Sequence, residues 1–249
     1  YMAANGIPAV RELGWKEILF ETEWKPTAAR PQFGIFYIIL TSLAGTMLAV
    51  GIGVPVGVLT AVYLTELSFG LGAKVVGFAV EVLAGVPSVV YGLLGVHFLN
   101  PLMYRLELRI FAGSRNHQFT GGANLLSAVL VLAVMILPTV ISVSQTAIRA
   151  VHPGIREASY ALGASRIQTA FRVVLPAAKK GIAAAAVLGT GRAVGEAMAI
   201  TLASGGSVNA PFPFASVRFL TTAIVSEMSY AQGVHRQALF TIGLVLFGF

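Results

Sequence analysis

Between Phe33 and Leu64 the chain carries no charged side chain, and that run decides what it can fold into. As a helix rising about 1.5 Å per residue it is longer than the roughly 30 Å hydrocarbon core of a bilayer, so it must tilt or kink, with Pro55 as the expected point. Further apolar runs recur at about 75–99, 125–148 and 182–203, and a fifth begins near Ala238 and is cut off at Phe249. Of the 249 residues 56% are hydrophobic and 11% charged, against roughly a quarter charged in a soluble domain. A soluble core has no room for that surplus. The pattern predicts an all-α, polytopic membrane protein with five spans visible and six in the full chain.

The net charge of +7 does not point to nucleic acid, because the basic residues are neither interleaved with exposed aromatics nor set on one polar face. They concentrate instead between Arg149 and Lys180, where Arg149, Arg156, Arg166, Arg172, Lys179 and Lys180 stand against Glu157 alone. Cytoplasmic loops of membrane proteins carry such an excess. The 150–178 loop is therefore expected inside, in a multi-pass protein of a prokaryotic plasma membrane. Alternation places 1–32, about 100–124 and about 204–235 outside and the short turn 65–74 inside. Residues 1–32 read as an outer N-terminal segment and 33–249 as one transmembrane domain.

Cysteine and aspartate are absent, which removes thiolate chemistry and leaves no paired-carboxylate site. The histidines at 97, 117, 152 and 235 lack metal-ligand spacing and read as loop or helix-end residues. A GxxxxGK[ST] phosphate-binding loop is also missing.

The segment Pro153–Pro176 is too polar to span and too regular for an idle linker. It predicts two short helices joined at Gly163, which can take a left-handed cap, while Pro176 cannot continue a helix interior. A protruding helix–turn–helix suits docking into a groove of another protein. Glu157, Ala158, Gly163, Leu175 and Pro176 resemble the EAA loop of ABC importer permeases in identity and spacing, with Ser159 and Val173 as mild departures. The resemblance implies a type I importer permease fold, with this loop as the element that couples to a separate ATPase. ATP and Mg would be bound by that partner, and no cofactor by this chain.

Two ionisable residues fall inside the fourth apolar run, Arg192 and Glu196, although a charge at the bilayer centre costs at least about 2.5 kcal/mol. On a continuous helix they share a face and can pair, and Gly191 with Gly195 would admit a close neighbouring helix. An arginine there presents a planar fork of donors suited to an oxyanion; the bland alternative is a structural ion pair. In the second run, Glu81 could pair within the bundle, and Pro87 with Ser88 could shape a kink in the path.

The run GRAVGEAMAITLASG and the run EVLAGVPSVVYGLLG resemble helices of phosphate importer permeases, and FGIFYIILTSLAG with TEWKP points to the PstC type. That resemblance implies translocation of inorganic phosphate by alternating access and a PstA-type permease as heterodimer partner. It also implies two copies of an ATP-binding subunit, an extracytoplasmic phosphate-binding protein, surrounding membrane lipid and no nucleic acid. The alternatives are a sulfate or molybdate permease, or an ion-gradient-driven transporter with Arg192 and Glu196 as a charge relay. The outer segment 113–124 says nothing about substrate.

Overall fold

The computed structural model describes residues 2–113 and 117–248; Ser114, Arg115 and Asn116 of the outer segment lie outside the described residues. The chain begins with helices α1 (Met2–Leu13) and α2 (Trp15–Phe20) and a two-stranded antiparallel hairpin, β1 (Trp24–Lys25) on β2 (Gln32–Phe33), with Trp24 opposite Phe33. The long helix α3 (Phe36–Val62) follows and runs on as a π-helical turn, Tyr63–Leu67. Next come α4 (Leu71–Gly85), α5 (Ser88–Leu94), a π turn at Gly95–Leu99, α6 (Asn100–Ile110) and α7 (Leu125–Arg149). The loop region holds α8 (Pro153–Ala161), α9 (Arg166–Thr169), a π turn at Ala170–Val174 and α10 (Leu175–Ala177). The chain closes with α11 (Lys179–Gly195), α12 (Met198–Ala203), α13 (Leu220–Glu227) and α14 (Gly233–Phe247).

The helix from Phe36 to Leu67 and the helix from Leu125 to Arg149 are each long and apolar enough to cross a bilayer. Two further candidates are broken pairs, Leu71–Gly85 with Ser88–Ile110 and Arg166–Ala177 with Lys179–Gly195, the latter bent by 73°. Gly233–Phe247 is apolar but shorter. The five expected runs are thus all helical, with one departure from the expected continuity.

The first run stays helical through Pro55. Its helix passes through the proline, and one turn on the Thr60 hydroxyl bonds to the Val56 carbonyl at 2.8 Å. The fourth run does break. α11 ends at Gly195, Glu196 and Ala197 lie outside any helix, and α12 restarts at Met198. The second run stops at Val86, whose extended backbone is what a following proline imposes, and restarts at Ser88.

The chain divides into two compact units, each with its own core. In the first, formed by 1–47, 88–131 and 194–249, Ile18, Ile35, Ile38, Leu220, Leu239 and Ile242 are fully buried together. α1 lies along α14, where a side chain at Gly6 would overlap Phe240 and Thr241 backbone, and the Thr241 hydroxyl donates to the Gly6 carbonyl at 2.9 Å. In the second unit, 48–87 with 132–193, the buried cluster joins Ala61, Val62, Ile141, Ile148, Ala170 and Val174. Here Val140 of α7 fills two gaps at once: a Cβ at Gly57 of α3 would sit 2.7 Å from its Cγ1, and one at Gly189 of α11 2.8 Å from its Cγ2. Close approaches to α11 fall at Gly181 and Gly189; among the described residues nothing lies within 4 Å of a Cβ at Gly191 or Gly195, where the close neighbour was expected.

Candidate coupling loop and anion site

The candidate coupling loop takes the expected helix–turn–helix form. α8 starts at Pro153, whose fixed φ suits a first helical position, and the His152 ring accepts from the Gly154 N–H at 3.1 Å. Gly163 turns the chain with φ +82°. Ser165 then caps α9 reciprocally with Gln168, its hydroxyl accepting from the Gln168 N–H while the Gln168 side chain accepts from the Ser165 N–H. Between the two helices the Ser159 and Thr169 hydroxyls bond at 2.9 Å, both buried. Serine at the third position of the E-A-A pattern thus has a partner that alanine would not.

Glu157, Ala158, Gly163 and Pro176 are exposed and Leu175 is half-buried. Around them Leu162 is 89% exposed, and Ile155, Tyr160 and Ile167 are also open, an apolar concentration that a solvated loop does not need. The π turn at Ala170–Val174 absorbs the helical interruption ahead of Pro176, and the chain bends one residue beyond Ala177.

One interaction fixes α8 that sequence reasoning did not single out. Arg156, next to Glu157, faces Glu66 in the π turn that ends α3, with Nη2 to Oε1 at 2.7 Å and Nε to Oε1 and Oε2 at 3.1 and 3.3 Å. Its remaining donors reach the carbonyls of Ile148 at 2.8 Å and Val151 at 2.6 Å, at and beyond the end of α7. A sequence signal existed: Glu66 is the one acidic residue of the short inner turn, and the most basic loop must lie on the same side.

Arg192 sits in the last turn of α11, half-buried, and its Nη1 donates to the Thr139 hydroxyl of α7 at 2.9 Å. Thr139 follows Pro138, an interior proline that deprives the Val134 carbonyl of its helical donor. Glu196 does not share a helical face with Arg192, because α11 stops between them. Its carboxylate accepts from the Ala199 N–H at 2.9 Å, capping the start of α12, and its carbonyl accepts from the Thr221 hydroxyl at 2.7 Å.

Glu81 is exposed on α4 and forms no ion pair among the described residues. It lines a cavity of about 470 Å³ with Lys74, Ser142, Gln145 and Arg149. Ser88 opens α5 immediately after the break at Pro87. Two more glutamates were missed at the sequence level. Glu107, fully buried, holds His117 at 2.7 Å and Thr120, and Glu227 gathers Trp24 at 2.9 Å, His235 at 2.8 Å and Arg218. These clusters give His117 and His235 structural partners.

Long apolar helices interrupted by an exposed helix–turn–helix fit a membrane-embedded transport subunit. The chain belongs to the family of binding-protein-dependent transport system inner membrane components, which matches residues 53–249, and is a permease subunit of an ABC importer. It is 38% identical to the probable ABC transporter permease protein YqgH of Bacillus subtilis over 92% of this chain and 72% of that one. Identity to the phosphate transport system permease protein PstC is 34% for Haemophilus influenzae, over 92% of this chain and 75% of the relative. For PstC of Mesorhizobium japonicum it is 32%, over 98% and 77%. A solved structure of the MetNI methionine ABC transporter in inward-facing conformations shares the fold, with a TM-score of 0.53 at 20% identity, covering 86% of this chain and 88% of that one.

Proposed function

We propose that this chain is the PstC-type permease of an ATP-driven importer of inorganic phosphate. The observation that carries the proposal is its likeness to PstC proteins of several bacteria across more than nine-tenths of its length. The assembly comprises a PstA-type permease, two copies of an ATPase that binds ATP and Mg, and an extracytoplasmic phosphate-binding protein. The 150–178 loop faces the cytoplasm and docks on the ATPase through Glu157, Ala158 and the open apolar side chains around Gly163.

In this reading Arg192 handles the anion. Thr139 steadies one corner of the guanidinium, and a planar fork of charge-assisted donors replaces part of the water that a phosphate sheds on entering an apolar path. Glu196 shapes the same stretch by starting α12 one turn further on. Glu81 and Ser88 flank the break in the second run and belong to the path as secondary members.

The test is ATP-dependent phosphate uptake by the reconstituted assembly. Arg192→Lys keeps the charge and loses the fork, and uptake is expected to fall about tenfold or more with assembly intact. Arg192→Met with Glu196→Gln removes both charges yet leaves Glu196 an oxygen for the Ala199 N–H, and should assemble and still not transport. Near-normal uptake by that double variant would move Arg192 into the scaffold.

A further inference from the structure

We propose that Arg156 and Glu66 form the strut that transmits movement of the coupling loop to the spanning helices; the inference rests on the docking role just assigned to that loop. Arg156 is a positioning residue: it acts through the helix it holds. One guanidinium engages three elements, since its own backbone belongs to α8, its carboxylate partner to the end of α3 and its carbonyl partners to the end of α7. The Arg156 side chain is 19% exposed and that of Glu66 8%, so the pair is shielded, and its fork-to-carboxylate geometry resists both sliding and rotation. The Ile148 carbonyl, in the last turn of α7, also accepts from the Val151 N–H at 3.2 Å, so the cation adds a charge-assisted bond to a helix end that is already turned.

The strut matters because α8 has little else to hold it. The buried apolar cluster beneath the loop takes Ala170, Val174 and Ala178 from the second half of the helix–turn–helix and Ala61, Val62, Ile141 and Ile148 from the spans, but no residue of α8. The Ser159–Thr169 bond joins α8 to its neighbour in the loop and not to a span. The carboxylate is also specific to its partner. Arg149 and Arg166 line the same 340 Å³ hollow as Glu66, yet Arg166 lies over the Phe69 ring at 4.8 Å, and among the described residues only Arg156 bonds the carboxylate. A force on the exposed face of α8 therefore reaches α3 and α7 through Arg156. Without the strut, α8 swings on the loop on either side of it, at Val151–His152 and at Gly163.

The experiment uses the complete importer in proteoliposomes and reads three quantities: ATPase co-purification, stimulation of ATP hydrolysis by loaded binding protein, and phosphate uptake. Glu66→Gln with Arg156→Gln leaves no buried charge unpaired, so insertion and assembly are preserved. We expect normal co-purification and basal hydrolysis, with stimulation and uptake reduced within the 5–150-fold range typical of a lost coupling between sites. Glu66→Cys with Arg156→Cys, joined by a short bifunctional thiol reagent, should recover uptake, and cleavage of the link should abolish it again; the native lack of cysteine keeps this arm clean. Wild-type coupling in the doubly neutral variant would overturn the proposal. So would loss of ATPase binding in that variant, because the pair would then only shape the docking face. Failure of the docking reading shows elsewhere, as normal co-purification of the ATPase with Leu162→Glu in an otherwise native loop.

Discussion

A Cβ at Gly163 would meet no atom of the described residues within 4 Å, so the demand for glycine there is made by the backbone, at φ +82°. Left-handed backbone costs an ordinary L-residue about 1–2 kcal/mol, and asparagine less than most. Gly163→Asn should therefore keep ATPase co-purification and uptake close to normal, while Gly163→Val should lose both, with the membrane-inserted amount unchanged in each. At Ser159 the consequence is different. Ser159→Ala leaves the buried Thr169 hydroxyl without its partner, a loss of about 1–2 kcal/mol, and adding Thr169→Val should recover most of it. Limited proteolysis at the loop reads both. Gly163 was legible in the sequence because few residues other than glycine adopt that turn easily. The Arg156–Glu66 contact was harder to see, since 90 positions separate its members and only folding brings them together.

Helix identity followed from apolar length, but helix continuity did not. Pro55 lies inside α3 without ending it, whereas Glu196 and Ala197, with no proline nearby, separate α11 from α12. In the second case the Glu196 carboxylate and carbonyl are both bonded to groups of other residues, which compensates the broken ladder. The expected Arg192–Glu196 pair depended on a straight helix and does not form on one. The same lesson applies to packing between elements. GxxxG spacing drew attention to Gly191 and Gly195, yet Val140 selects Gly57 and Gly189 by placing a methyl group against each. Gly189→Ala should lower the thermal midpoint of the purified permease through overpacking of about 1–3 kcal/mol. Combining it with Val140→Ala should restore much of that loss, because the added methyl enters the space just vacated. Equal midpoints for the single and double variants would show that α7 and α11 do not meet there.

At the scale of the whole molecule, the charge bias predicts an orientation with the 150–178 loop, which carries the exposed Leu162 and Tyr160, on the cytoplasmic side. A cysteine at Ser165 should react with an impermeant thiol reagent only when the cytoplasmic side is opened, and one at Ser207 should react in intact cells. Substrate class was legible only through resemblance, since one arginine in a membrane fits any oxyanion. The most direct test of the account is uptake by the permease reconstituted with its PstA-type partner, the ATPase and the binding protein, offered phosphate and sulfate in parallel. The account predicts phosphate accumulation that requires ATP and the binding protein, with no comparable accumulation of sulfate. Uptake driven by an ion gradient without the ATPase, or sulfate carried in preference to phosphate, would contradict it.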